Sequence, residues 1–474
     1  MKDEAGFDLE LWDRLAVGVA VLVTASLTFP FLGGRSLWLD EALSLQIAGS
    51  WEFIQAESNM WLYHVLLALW LKIGTSEWVM RSLSAVCAVA TIPAMYLLAR
   101  QLLGSHAARI AVVLLSINIM FLSYAQEARG YSLLVLLVTL SSHFFLRLLN
   151  GGRLRDGLAY SLLNGLAIYA HFFAVPVIGV QLASVVFMRK REVPWMLLVL
   201  SVLGTFALCL PLLILAPFDS AQVGWISEPD LRKVKRLFEE LAGGKTLLYV
   251  VNIVIGWGLI SVVKARKSPM SLDAQRTHAF LLLWLLAPVF AAWTFSHLVQ
   301  PLFASRYLII CLPPTVLLLA SGVARLPRAW ARGIVLVAIA AATWPSADDP
   351  YRTREAWREA TTYVLSQAES GDLVVFYAAV AKVPFEYYVA QAGREDLELL
   401  TPTEDPATYP SDNDQRVWLV FSHHLDKKSG TKGNRLPRAP GLELQTRLEE
   451  HHTLSREEKF KKIHVLLYEG GQPL

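Results

Sequence analysis

Ser36-Leu-Trp-Leu-Asp-Glu-Ala-Leu-Ser44 follows directly on an uncharged apolar run, residues 15–32. A helix needs about 20 apolar residues to cross the hydrocarbon of a bilayer, and this run is close to that length. Asp40 and Glu41 stand just where it ends. Ionised carboxylates are costly inside a bilayer, so an acid pair at this edge belongs to the water interface or to a site. The chain reads as a bundle of membrane helices that builds a cavity around this pair.

Composition supports a membrane protein. Of 474 residues 54% are hydrophobic and only 18% charged, where a soluble chain carries about a quarter. Mean hydropathy is +0.43. The net charge of +3 is too small to imply a nucleic-acid partner. The three cysteines, Cys87, Cys209 and Cys311, lie within apolar runs and read as packing residues, not as a disulfide framework or a metal set. The first residues carry Asp3, Glu4, Asp8, Glu10 and Asp13, which is the wrong charge for a cleaved signal peptide, so the first span is expected to stay.

Working outward, candidate spans are residues 15–32, 79–103, 108–124, 131–149, 157–170, 172–188, 195–216, 246–263, 277–299, 307–324 and 329–344, about eleven in all. The fifth and sixth are nearly continuous and are split at His171. Loop charge favours the split. Arg100 and Arg109, Arg147, Arg153 and Arg155, Arg189 to Arg191, Lys264 to Arg276, and Arg325 to Arg332 then all fall on one side. The short loops of the other side carry little beyond Arg129 and Arg306. Positive residues stay cytoplasmic, which predicts an N-terminus inside and a C-terminus outside.

The expected fold is mainly α: a polytopic bundle over residues 1–345 with a small α/β domain outside the membrane over residues 346–474. Outer loops cover residues 33–78 and 218–245. The first contains Trp61-Leu-Tyr-His-Val-Leu-Leu-Ala-Leu-Trp70, apolar but too short to span, which reads as a helix lying in the interface. The second holds Gly224-Trp225 and a basic helix-like stretch, residues 231–241. In the tail, residues 355–367 look helical and residues 373–378, 417–422 and 464–468 look like strands. Residues 401–414 and 427–435 read as loops.

The unusual polar residues gather at the outer edge of this topology. They are Asp40 and Glu41, the connection Tyr124-Ala-Gln-Glu-Ala-Arg-Gly-Tyr131, Tyr169-Ala-His171, His297, and Ser305-Arg306-Tyr307. Their convergence fits a site facing away from the cytoplasm. Each has a plainer reading. Asp40 and Glu41 could cap the next helix. Glu127 and Arg129 could pair in a solvated turn. His171 and His297 could be interfacial histidines. Arg306 could snorkel to lipid phosphates. The His423-His424 and His451-His452 pairs suggest a metal, but adjacent surface histidines usually hold none. The sequence has no Gly-rich phosphate loop, CxxC pair or HExxH motif.

Leu37-Trp-Leu-Asp-Glu-Ala-Leu43 resembles the Asp-Glu motif in the first outer loop of GT-C glycosyltransferases. The nearest branch is that of bacterial relatives of protein O-mannosyltransferases and the aminoarabinose transferase. Leu62-Tyr63, Leu69-Trp70, Glu77-Trp78 with Arg81, Tyr124-Ala-Gln-Glu-Ala-Arg129 with Tyr131, Tyr169-Ala-His-Phe-Phe173 and Ser305-Arg-Tyr-Leu308 support it in order. Trp357-Arg358 and Gly371-Asp372 extend it weakly into the tail. Many members have His-Pro-Pro before the interfacial Leu-Tyr, where this chain has Ser58-Asn59-Met60-Trp61.

The resemblance implies a cell-envelope enzyme of the bacterial inner membrane. It would transfer a hexosyl or pentosyl group, with inversion, from a polyprenyl-phosphate donor to an acceptor hydroxyl on a glycan, lipid or protein. A carboxylate is ionised near neutral pH and can take the acceptor's proton. Asp40 is the expected base and Glu41 its alternate, since consecutive helical residues point about 100° apart. Arg129 and Arg306, with Arg81 behind them, are the expected donor-phosphate ligands. Glu127, His171 and Tyr131 support them. No cofactor is certain; a divalent cation on Glu127 and His171 is the one candidate. The competing class is a transporter or flippase of a lipid-linked saccharide, which predicts polar groups at the bilayer midplane and broken helices there.

Overall fold

The computed structural model describes residues 10–57, 59–188, 193–215, 226–264, 269–343, 354–394, 396–401, 415–422 and 439–470. The chain divides into two compact units, Met1–Leu32 with Ile47–Tyr351, and Gly33–Gln46 with Arg352–Leu474. The acid-bearing segment after the first apolar run is thus grouped with the tail. The Gly224-Trp225 loop, the 427–435 loop, most of the 401–414 loop and His423-His424 lie outside the described residues.

The first unit is helical. α1 (Leu11–Ser26) opens it, and α2 (Leu39–Ala48) returns the chain to it from the second unit. Next come α3 (Trp51–Ala56), α4 (Trp61–Trp70), α5 (Glu77–Leu103), α6 (Ser105–Ser116), α7 (Ile119–Ala125), α8 (Tyr131–Leu149), α9 (Leu154–Ala170) and α10 (Ala174–Met188). The unit closes with α11 (Trp195–Leu215), α12 (Leu231–Ala242), α13 (Lys245–Lys264), α14 (Pro269–Leu298), α15 (Leu312–Ala324) and α16 (Ala329–Thr343).

Local chemistry sets the boundaries. The Ser76 hydroxyl accepts the Val79 N–H at 3.4 Å and starts α5. Gly104, at φ +83°, separates α5 from α6 in a conformation that favours glycine. The third predicted span is broken: α6 and α7 are bent 59° apart. Asn118 makes the break. Its Oδ1 caps α7 by accepting the Phe121 N–H at 3.1 Å, and its Nδ2 donates to the Leu241 carbonyl of α12 at 3.1 Å. The split at His171 is present, with α9 ending at Ala170 and α10 starting at Ala174.

By length and composition seven helices among the described residues can cross a membrane, or eight with the bent α6–α7 pair. The count of about eleven read from hydropathy is not reached by this measure. The difference lies in α9, α10 and α16, which have only 17, 15 and 15 residues. At 1.5 Å per residue these are shorter than a perpendicular crossing of about 30 Å. The segment from Tyr307 through α15 is the centre of the bundle, 94% buried against α6, α13 and α14. α1 and α11 lie at the other extreme, 17% and 22% buried, with apolar side chains turned outward as lipid contact requires.

In the second unit α17 (Trp357–Gln367), α18 (Ala379–Ala392) and α19 (Ala439–His451) flank five strands. These are β1 (Leu373–Phe376), β2 (Glu398–Leu400), β3 (Val417–Ser422), β4 (His452–Phe460) and β5 (Ile463–Gly470), in the order β2-β1-β3-β5-β4. β1 pairs parallel with β2 and β3; β5 pairs antiparallel with β3 and β4. Every residue of β1 and β3 is buried, as central strands covered on both faces require. Trp357, Phe385 and Trp418 pack on one face, and Leu419, Leu444 and Leu448 on the other.

α13 and α15 cross with glycine on both sides. A Cβ on Gly258 would lie 2.8 Å from the Gly322 Cα, and one on Gly322 would strike the Val254 carbonyl. Close backbone approach of this kind holds membrane helices together. Gly322→Val is expected to lower the melting temperature of the purified protein by several degrees, while Gly333→Val, at a position with open space, leaves it unchanged. Fluorescence-detected melting in detergent measures both.

Candidate functional site

The acid pair occupies the first turn of α2. The Trp38 carbonyl begins the helix, accepting the N–H groups of Glu41 and Ala42 at 3.0 and 3.1 Å. Trp38 has no side-chain oxygen to cap the remaining donors, and two carboxylates serve instead. Glu41 reaches back to the Trp38 N–H at 3.4 Å, half of a capping box. Glu355, 316 residues along the chain, accepts the Leu39 N–H at 3.0 Å. Glu41 is buried, at 1% exposure, and Asp40 is half-buried. Their environments separate the two adjacent carboxylates.

The rest of the segment is tied down by the tail of the same unit. The Leu37 N–H donates to the Tyr388 hydroxyl at 2.7 Å. The Arg358 backbone N–H donates to the Ser36 hydroxyl at 2.9 Å, and its Nη2 donates to the carbonyls of Gly33 and Arg35 at 3.0 and 3.1 Å. The Arg354 guanidinium lies 4.4 Å from the centre of the Trp38 ring. Glu355 is fixed in turn by the Trp357 indole N–H at 2.9 Å. Sequence reading caught Trp357-Arg358 and missed Glu355 and Tyr388. The available signal was negative: Trp38 stands where a Ser, Thr or Asp cap is normal.

In the first unit, residues from three separate segments form one chain of contacts. The Arg129 guanidinium lies 6.0 Å from the Tyr131 ring centre. Tyr131 is 5.9 Å from His171, and His171 is 4.8 Å from Tyr307. The Arg306 guanidinium lies 5.6 Å from Tyr307. The charges of Arg129 and Arg306 both bear on His171. Arg129 and Arg306 are half-buried, and Tyr131 and His171 are fully buried. The His171 Nδ1 accepts the Phe173 N–H at 3.2 Å, which holds the ring in place.

The Arg129 turn is built by close packing. The Glu127 carbonyl accepts the Arg129 N–H at 2.8 Å, and the Arg129 carbonyl accepts the Ser84 hydroxyl at 3.1 Å. A Cβ on Gly130 would lie 3.2 Å from both the Ala170 carbonyl and the Tyr63 Cβ, so this position takes only glycine comfortably. Gln126, fully buried, donates to the Leu27 carbonyl at 3.0 Å. Met60 enters α4 at φ +64°, which costs about 1 kcal/mol for a residue with a side chain.

Other expected residues are placed differently. Arg81, 1% exposed, donates to the Leu32 carbonyl at 2.6 Å and so holds the end of the first apolar segment. Tyr169 donates to the Leu208 carbonyl of α11 at 3.0 Å. His297 bonds the Trp293 carbonyl of its own helix at 2.9 Å and is exposed. Among the described residues no three of His, Cys, Asp and Glu come together to hold a metal. One nitrogen of His171, Nδ1, is already engaged by the Phe173 N–H.

His64 is a residue that sequence reading passed over. It is 1% exposed in α4, against Tyr63. Burial, and then the charge of Arg129, push its imidazole down to about 3. An unfolded histidine titrates near 6.5, so between the two values the unfolded chain binds a proton that the folded chain does not. Stability present above pH 6.5 is therefore lost as pH falls toward 3, by up to about 1.4 kcal/mol per pH unit. His64→Phe is expected to lose less melting temperature than the wild type between about pH 7.5 and about pH 5. Equal losses would show that His64 takes its proton freely.

Residues 60–215 match the family model described as dolichyl-phosphate-mannose-protein mannosyltransferase. That stretch holds Arg81, Glu127, Arg129, Tyr131 and His171 but neither Asp40 nor Arg306. Curated protein sequences give no match. Among solved structures the chain is similar to ArnT from Cupriavidus metallidurans in the apo state, at TM-score 0.64 and 14% identity, covering 96% of this chain and 97% of that one. The same ArnT bound to undecaprenyl phosphate matches at TM-score 0.60 and 13% identity, with 96% and 98% coverage. The apo oligosaccharyltransferase of Archaeoglobus fulgidus matches at TM-score 0.60 and 11% identity, with 96% and 80% coverage. The chain therefore has the fold of the GT-C membrane glycosyltransferases, and its residues 60–215 carry the pattern of the protein mannosyltransferase family.

Proposed function

We propose that this protein is an inverting glycosyltransferase of the bacterial inner membrane, acting on its extracytoplasmic face. It moves a hexosyl or pentosyl group from a polyprenyl-phosphate donor to an acceptor hydroxyl. One observation carries the reading: Arg129 and Arg306, far apart in sequence, are brought through Tyr131, His171 and Tyr307 to one imidazole. Two guanidinium groups gathered in a membrane bundle repel each other, and a phosphate placed between them relieves that repulsion. The similarity in fold to an ArnT that binds undecaprenyl phosphate supports the choice of a prenyl-borne phosphate.

The reaction is a single displacement. Asp40 takes the proton of the acceptor hydroxyl as its oxygen bonds to the anomeric carbon. The bond from that carbon to the phosphate oxygen breaks, and the polyprenyl phosphate leaves with the electron pair. Arg129 and Arg306 meet the negative charge that develops there, an effect often worth about 3 kcal/mol per fixed donor. Asp40 is the base because it is half-buried, whereas Glu41 is buried and engaged with its own helix. The tail and the acid segment lie outside with an N-terminus inside, in a topology of about eleven crossings.

The break between α6 and α7 favours a second reading, a flippase of a lipid-linked saccharide, since transporters use broken helices. The bend, at Asn118, is separated from the Gln126 turn by the seven residues of α7, about 10 Å of helix. A flippase moves labelled lipid across a vesicle, whereas a transferase moves label from lipid to acceptor.

Asp40→Asn is expected to reduce transfer at least about 100-fold while binding of undecaprenyl phosphate persists. Arg129→Ala and Arg306→Ala are expected to weaken that binding about tenfold or more. An Asp40→Asn enzyme of near-normal rate removes Asp40 from the mechanism. Topology is checked separately. Cys87, Cys209 and Cys311 are buried, so an impermeant maleimide reports on an introduced cysteine alone. Glu52→Cys, on the exposed face of α3, is expected to label from outside intact spheroplasts. Labelling only after lysis overturns the extracytoplasmic assignment.

A further inference from the structure

We infer that Glu355 and Tyr388, both in the C-terminal segment, are positioning residues for Asp40; the inference rests on the transferase reading above. A helix N-terminus leaves four backbone N–H groups without helical partners. In α2 the cap position is held by Trp38, whose side chain has no oxygen, and the Ser36 hydroxyl is engaged by the Arg358 N–H. The Leu39 N–H, one residue before Asp40, is met by the Glu355 carboxylate at 3.0 Å. The same oxygen of Glu355 accepts the Trp357 indole N–H at 2.9 Å, and Trp357 is fully buried in the sheet-facing core. That linkage runs from the hydrophobic core of the tail to the backbone beside the acid.

Tyr388 makes the second tie, accepting the Leu37 N–H at 2.7 Å from α18. Two fixed points, at Leu37 and Leu39, define both the start of α2 and its rotation about its axis. The direction of the Asp40 side chain follows from that rotation, since each helical residue turns about 100° from the last. Glu355 and Tyr388 act through the backbone and carry no proton of the reaction. A loosely held base of unchanged chemistry slows the chemical step without weakening the donor's grip.

The test uses the full chain in detergent. Donor is the chloroform–methanol-soluble lipid of cells fed radiolabelled glucose, and acceptor is the delipidated envelope fraction. Rates across donor concentrations separate kcat from KM, and hydrogen exchange follows the amides of residues 36–46. Glu355→Ala is expected to lower kcat about 10- to 100-fold with donor KM within about twofold, and to speed exchange at Leu39. Glu355→Gln keeps an oxygen in place and recovers most of the rate. Tyr388→Phe retains its ring in the core and loses only the hydroxyl, so it stands if Glu355→Ala does not fold; its kcat is expected to fall several-fold with KM unchanged. Wild-type kcat in Tyr388→Phe and Glu355→Ala beside an inactive Asp40→Asn overturns the inference and leaves the transferase reading intact. A Gln variant no faster than Ala overturns the hydrogen-bond role. An active Asp40→Asn instead removes the reading on which the inference rests.

Discussion

A guanidinium group is tolerated inside an apolar bundle only where its charge and its donors are met. That constraint organises the first unit. Arg129 sits on a turn so compressed that Gly130 is the residue that fits between Ala170 and Tyr63. Ser84 fixes its carbonyl, and Tyr131 offers a ring face to its charge. Arg306 precedes the most buried of the candidate spans among the described residues and faces Tyr307 in the same manner. Cation–aromatic contacts stabilise by about 0.5–2 kcal/mol, less than burying a cation costs. Ring contacts are therefore only one part of what holds two arginines here.

The second unit faces a different constraint, a helix that begins on a tryptophan. With no capping oxygen on Trp38 and only the Glu41 half of a capping box, α2 is marginal, since isolated helices of ten residues do not persist in water. Glu355, Arg358 and Tyr388 supply from the tail what the local sequence lacks. The consequence is that the tail is not an appendage. The acid pair shares a compact unit with the sheet, so the order of α2 is coupled to the folding of residues far away in sequence.

Much of this was legible in the sequence, and the failures have physical causes. Long uncharged runs gave the α5, α8, α13 and α15 regions to within a few residues, because hydropathy in a bilayer leaves few alternatives. The split at His171 was legible from loop charge. The bend at Asn118 was not, because its cause is a bond to Leu241, 123 residues away. In the tail, β1, β3 and β5 were recognisable as apolar strands. β4 was missed because an edge strand carries charge, here Arg456 to Lys459, and reads as loop. α18 contains Pro384, and β2 has only three residues. The arginines and the acid pair stood out as polar residues at the ends of apolar runs. Glu355 and Tyr388 looked like ordinary surface residues, since their role exists only after residues 33–39 dock on them.

Asp40 and Glu41 show how far residue type falls short of role. Both are carboxylates, adjacent, in the first turn of one helix, where the macrodipole favours either charge by about 0.3–1 kcal/mol. Sequence reading put Asp40 first and Glu41 as its alternate, without a structural reason for the order. Geometry distinguishes their surroundings, because one turn of helix cannot aim neighbours at the same target. Glu41 is turned to the Trp38 N–H and buried, and its negative charge is already used to start the helix. Asp40 keeps its helical carbonyl occupied by the Ser44 hydroxyl at 2.9 Å while its side chain stays half-buried. A base must be reachable and must be held, and the two requirements conflict in a single residue. Glu41 and Glu355 hold the helix end, and under the transferase reading proposed above the two requirements are divided, with Asp40 the reachable carboxylate.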